Sequence, residues 1–198
     1  ALLVSVAAIA VASPALANGI VTGDDGAGRK GRALVQLEAH RITAKIRDRV
    51  ADVTVEQTFH SDADRQLEGT YLFPLPPGAA VRQFAMTMGG KMVVGEVVEA
   101  KQARAVYEGI VARRKDPGLL EWVGSGVFRA RVFPIEPHAD LTIRLEFQEV
   151  LAEDAGTLAW RYPLATDRLN GSPVATVVVD VSVESTVDLK AITCPSHP

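Results

Sequence analysis

Residues 50–59, VADVTVEQTF, repeat with a period of two. Val53, Val55, Gln57 and Phe59 fall on one side of an extended chain, and Asp52, Thr54, Glu56 and Thr58 on the other. That pattern buries one face of a β-strand, whereas a helical period of 3.6 residues would scatter the same side chains around a cylinder. Runs of the same character recur as LEGTYLF, VRQFAMTM, MVVGEVV, GVFRARVFPI, LTIRLEFQEVL, LAWRYPL and ATVVVDVSVES, with Gly, Pro, Asp and Asn between them. Many short strands with such punctuation predict a mainly β fold, an antiparallel β-sandwich-like module.

One segment departs from this rhythm. In residues 99–115, EAKQARAVYEGIVARRK, the positions Ala103, Val106, Tyr107, Ile110 and Val111 recur at spacings of three and four. This predicts one amphipathic helix laid on the sheet. Glu96 and Glu99 near its start and Arg113, Arg114 and Lys115 near its end complement the helix dipole, and Asp116-Pro117-Gly118 ends it.

With 198 residues, 47% hydrophobic and 23% charged, the chain has the composition of an ordinary globular domain able to bury a core. A net charge of −3 with dispersed Lys and Arg excludes the basic footprint that nucleic acid requires. Residues 1–17 carry no charge and end in Ala15-Leu16-Ala17, the back half of a secretory signal cleaved after Ala17. The expected location is therefore outside the cytoplasm: periplasm, outer surface, or a membrane reached through a segment not in this chain. Cys194 is the only cysteine. That excludes an internal disulfide and any zinc site built on four cysteines, or on a pair of cysteines with a pair of histidines. It also points to a bacterial exported protein and leaves Cys194 as a partly buried small hydrophobe. Residues 18–32 read as a flexible spacer, 33–152 as the module, and 153–198 as further strands and a linker toward a domain downstream.

Candidate chemistry is sparse. Proline lacks an N–H, so Pro74, Pro76 and Pro77 predict an edge, a bulge or a sheet-switching bend released at Gly78 rather than a ligand for an aromatic groove. DVSVES from Asp180 misses the Asp-x-Ser-x-Ser register of a metal-ion site, because position 184 is Glu and Ser185 faces the other way. His40, His60, His138 and His197 form no HxH or HExxH pair, so neither a zinc site nor a general base follows from the sequence. Ser125 lacks the Gly-x-Ser-x-Gly frame of a nucleophile elbow. Glu68, Glu121, Glu146 and Glu149 are the carboxylates from which a glycosidase-like pair would be drawn, and strand acids are usually solvated. Trp122 and Trp160 read as core residues first and binding anchors second.

In order and spacing, VTVEQTF, LEGTYLFPLPPGAAVRQFAM, VVGEVVEAKQARAVYEG, LLEWVGSGVFRARVFPIEP and LTIRLEFQEVL resemble the VIT domain. This is the module of vault proteins and inter-alpha-trypsin inhibitor heavy chains, and the likeness covers about residues 33–152. The resemblance implies framework roles for Gln57, Phe59, Tyr71, Phe73, Pro74, Leu75, Pro76, Gly95, Ala103, Tyr107, Leu120, Glu121 and Phe128. It also implies no catalytic, cofactor-binding or metal-binding residue. The expected partners are a von Willebrand type A domain downstream and extracellular macromolecules, in a structural or protein-interaction role; the alternative is a hydrolase or carbohydrate-processing sandwich. The chain departs from the family pattern at RRKDPGLLEW and at EPHAD, where His138 follows Pro137 in place of the usual Pro-Gly; both fall in predicted turns.

Overall fold

A computed structural model describes residues 2–9, 20–24, 35–94, 126–162 and 174–195. Among these residues, twelve strands run in chain order: β1 (Leu2–Ile9), β2 (Ile20–Asp24), β3 (Val35–Arg47), β4 (Val50–Ser61), β5 (Leu67–Leu75), β6 (Ala80–Met88), β7 (Lys91–Val94), β8 (Gly126–Ile135), β9 (Asp140–Val150), β10 (Glu153–Asp154), β11 (Thr157–Leu158) and β12 (Thr176–Ser185). The mainly β expectation holds. No helix occurs among the described residues, and the helix expected over 99–115 lies outside them.

A seven-stranded sheet, ordered β1-β12-β3-β4-β9-β6-β7, accompanies a three-stranded sheet, β2-β5-β8. Along β4 the inward set Val53, Val55, Gln57 and Phe59 is buried and its neighbours only partly so, as the alternation requires. Side chains from both sheets form one hydrophobic cluster. Tyr71 of β5 sits in its midst, with ring centroids 5.9 Å from Phe84 and 6.3 Å from Phe59, Phe73 and Phe128.

The proline corner switches sheets. β5 belongs to the small sheet and β6 to the large one, and between them the Ala79 N–H donates to the Pro76 carbonyl at 3.0 Å. Pro77 and then Gly78 at φ 77° make this a type II turn, with proline's fixed φ first and a positive φ second. Pro74 lies inside β5, but β2 pairs only as far as Leu72, so β5 has a single partner at that point. A Cβ built at Gly78 meets nothing within 4 Å. Gly78→Ala is therefore expected to destabilise through the backbone alone, by about 1–2 kcal/mol, read as a shift in the urea midpoint; an unchanged midpoint would refute the turn assignment.

Three findings differ from the sequence reading. The large sheet is not wholly antiparallel, because β12 runs parallel to β3 from Thr176↔Ala39 to Glu184↔Arg47. A parallel neighbour requires a long crossover, and the connection between β9 and β12 supplies one. β12 is thus an interior strand between β1 and β3. LAWRYPL is a strand only at Leu158 among its described residues, since residues 159–162 run irregularly over the sandwich. Cys194 is exposed rather than partly buried. In addition, the backbone of the apolar segment read as an export signal forms β1 against β12, and β2 within the expected spacer pairs with residues 68–72 of β5.

Candidate functional site

Two connections cross between the sheets at one end of the sandwich, from β4 to β5 and from β8 to β9. β5 and β8 are antiparallel, so this end lies opposite the proline corner. The Ser61 N–H donates to the Ala139 carbonyl at 3.0 Å and ties the two connections together. His138 occupies the positive-φ position of the second crossing, at φ 47°. Histidine tolerates that region better than most residues.

This end gathers histidines and carboxylates that are distant in sequence. His60 and Asp140 are cross-strand partners of β4 and β9, and His60 Nδ1 donates to Asp140 Oδ1 at 2.7 Å. Asp62 Oδ1 lies 3.9 Å from His60 Nε2, and Gln36 Nε2 donates to Asp62 Oδ2 at 2.8 Å. Glu38 joins them from β3, where the pairing with β4 jumps from Leu37↔Phe59 to Ala39↔Thr58 and leaves Glu38 as the extra residue of a bulge. A second pair, His138 Nε2 to Asp64 Oδ1 at 3.1 Å, stands on the same end. A hollow of about 320 Å³ is lined there by Asp62, Ala63, Asp64, Arg65 and Leu67. The Asp140 hydrogen bond, opposed by partial desolvation and helped by the charges of Asp140, Glu38 and Asp62, raises the His60 pKa above its ordinary value. The group of donors is one that attracts a proton or a cation.

The interior holds a different set. His40 stands opposite Gln57 across β3 and β4. Its Nε2 is 3.0 Å from the Tyr162 hydroxyl, while Nδ1 has no partner among the described residues. Burial lowers the His40 pKa to about 3. The Tyr71 hydroxyl donates to Gln57 Oε1 at 2.7 Å, and burial raises both tyrosine hydroxyls, Tyr71 and Tyr162, well above their ordinary value. Glu149 is buried and accepts from Trp160 Nε1 at 2.7 Å; desolvation raises its pKa and the indole hydrogen bond partly offsets this. Through these two contacts Trp160 and Tyr162 hold the segment after β11 against the core.

Of the residues singled out from the sequence, Gln57, Phe59, Tyr71, Phe73, Leu75 and Phe128 meet in the interior, and Pro74 and Pro76 shape the corner. Gly95, Ala103, Tyr107, Leu120 and Glu121 lie outside the described residues, as do Trp122, Ser125 and His197. The four candidate carboxylates do not converge where they are described. Glu68 is exposed and paired with Arg131 at 3.1 Å, and Glu146 and Glu149 point to opposite faces of β9. Asp180 sits 3.8 Å from Arg41, with Ser185 buried on the other face of β12. Sequence reasoning missed the end cluster because His60 and Asp140 become neighbours only through the β4/β9 register, which no local pattern encodes.

The model of the vault protein inter-alpha-trypsin domain matches residues 37–147. Among curated proteins, the human protein mono-ADP-ribosyltransferase PARP4 is 33% identical over 114 residues, covering 58% of this chain and 7% of that protein. The mouse von Willebrand factor A domain-containing protein 5A is 28% identical over 132 residues, covering 65% and 17%. The bovine inter-alpha-trypsin inhibitor heavy chain H4 is 28% identical over 123 residues, covering 62% and 13%. The chain thus spans a small fraction of the length of these relatives. The matched region runs from β3 to β9 and contains the sheet-switching corner, the Tyr71 core and the cross-strand histidine end. This chain belongs to the vault protein inter-alpha-trypsin domain family.

Proposed function

We propose that the module is a non-catalytic protein-interaction unit of an exported bacterial protein, and that a von Willebrand type A domain is its first partner. The observation that carries this reading is the internal pairing of the buried polar side chains. His40 Nε2 meets Tyr162, Gln57 meets Tyr71 and Glu149 meets Trp160, so these polar atoms are engaged by the module itself, and Nδ1 of His40 is the buried side-chain atom left over among the described residues. An active site needs displaced acids and bases converging on a cleft. Among the described residues, the displaced groups inside the sandwich each face a polar side chain of the module itself, which favours a role for the surface. The names of two relatives, one containing a von Willebrand factor A domain and one an inter-alpha-trypsin inhibitor heavy chain, support a role beside such a domain.

The test is calorimetric titration of the purified chain with the type A domain of its own gene product, joined to hydrogen exchange on the mixture. Saturable binding with protection of outer strand positions is expected. Absence of binding, or turnover of glycoside or ester substrates by the chain, would overturn the reading. Fusing residues 1–32 to a periplasm-dependent reporter enzyme checks export: activity is expected, and cytoplasmic retention of the fusion would remove that part of the proposal.

A further inference from the structure

We propose that Glu38, His60 and Asp140 form a surface site for a divalent transition cation of the zinc type, a role separate from the interaction function above. The three residues stand on β3, β4 and β9, which are consecutive neighbours in the large sheet. Each contributes one donor atom, and these atoms all lie within 4.8 Å of one another. Donors to a tetrahedral zinc sit about 2.0–2.2 Å from the ion and so about 3.3–3.6 Å from one another. Closure on an ion thus asks the more widely spaced donors to draw together by roughly 1 Å.

Two features distinguish this trio from a chance gathering of surface acids. One donor is an imidazole, already oriented by its 2.7 Å hydrogen bond to Asp140 across a paired strand register. Another, Glu38, is the extra residue of a β-bulge, a local irregularity that re-aims a side chain at the expense of regular pairing. The chemistry then selects the ion. Two carboxylates match the charge of a divalent cation, and a nitrogen donor favours zinc over calcium or magnesium, which prefer oxygen ligands, six to eight of them around calcium. Three protein ligands leave a coordination position open to water or to a donor from a bound partner. Asp62, held by Gln36 and 3.9 Å from His60 Nε2, stands beside the trio as a further carboxylate.

Titration of the purified chain with zinc chloride, followed by calorimetry and by the imidazole resonances of His60, tests the site. One ion per chain is expected. His60→Ala and Glu38→Gln should each weaken binding by about tenfold or more, while His138→Ala and Cys194→Ser leave it unchanged. Circular dichroism of each variant confirms that the fold persists, and Glu38→Gln preserves shape if His60→Ala does not fold. No saturable binding, equal binding of calcium, or binding abolished by Cys194→Ser instead of His60→Ala would overturn the assignment. Calorimetry with the type A domain is read separately, so failure of one proposal does not disguise failure of the other.

Discussion

Replacing Tyr71 by alanine is expected to lower the unfolding free energy by about 3–5 kcal/mol, the range for truncating a fully buried aromatic side chain. Tyr71 has no exposed surface and lies in the small sheet with its ring against Phe59 and Phe84 of the large one, so its removal opens a void between the two layers. Typical domains have only about 5–15 kcal/mol in hand. Tyr71→Phe separates the hydroxyl from the ring. It keeps the packing but leaves Gln57 Oε1 without its 2.7 Å donor, at about 1–3 kcal/mol. Urea denaturation read by near-ultraviolet circular dichroism measures both. A Tyr71→Ala variant within about 1 kcal/mol of the parent would show that the two sheets do not meet through this ring.

Acidification supplies the second large effect. His40 carries its proton at about pH 3 in the fold, against 6.5 when unperturbed, because burial penalises the imidazolium. The unfolded chain therefore binds a proton between those values that the folded chain refuses, and folded stability falls as the pH drops from 6.5 toward 3. Midway, near pH ~4.5, the loss from this residue is roughly 2–3 kcal/mol. His60 acts in the opposite sense: its raised pKa favours the fold at low pH, and that contribution fades as the pH rises through its folded value. Glu149, also raised, likewise favours the protonated fold. Stability curves of the parent and of His40→Leu at about pH 7.5 and about pH 4.5 isolate the His40 contribution. The parent is expected to lose appreciably more than the variant, and parallel losses would show that His40 is not the acid-sensitive group.

β4 and β9 were legible because each keeps an unbroken alternation, with Val53, Val55 and Phe59 in one and Leu141, Ile143, Leu145 and Phe147 in the other all facing the core. β3 was not, for a local reason. Its inward set begins at Val35 and Leu37 and resumes at His40, Ile42, Ala44 and Ile46, so the bulge at Glu38 shifts the phase from odd to even positions. A reader counting by twos loses the strand at that step. The same bulge brings Glu38 into the candidate cation site, so the irregularity that hid the strand also helped hide the site.

LAWRYPL misled for a different reason. Its apolar and aromatic character suits a strand, but Trp160 and Tyr162 use their polar tips to pair with Glu149 and with Nε2 of His40 inside the sandwich, and that requirement sets the path of the backbone.

By itself the sequence determined the β class, the strands with intact alternation and the corner at Pro76-Pro77-Gly78, because side-chain facing and proline's fixed φ act within a few residues. Only the tertiary structure decided that β12 lies parallel beside β3, that Tyr71 finds Gln57, and that His60 meets Asp140 and Glu38. Each of those depends on strand register and crossover between segments up to about 140 residues apart, and the energy that selects them is the joint burial of both sheets rather than any property of one segment.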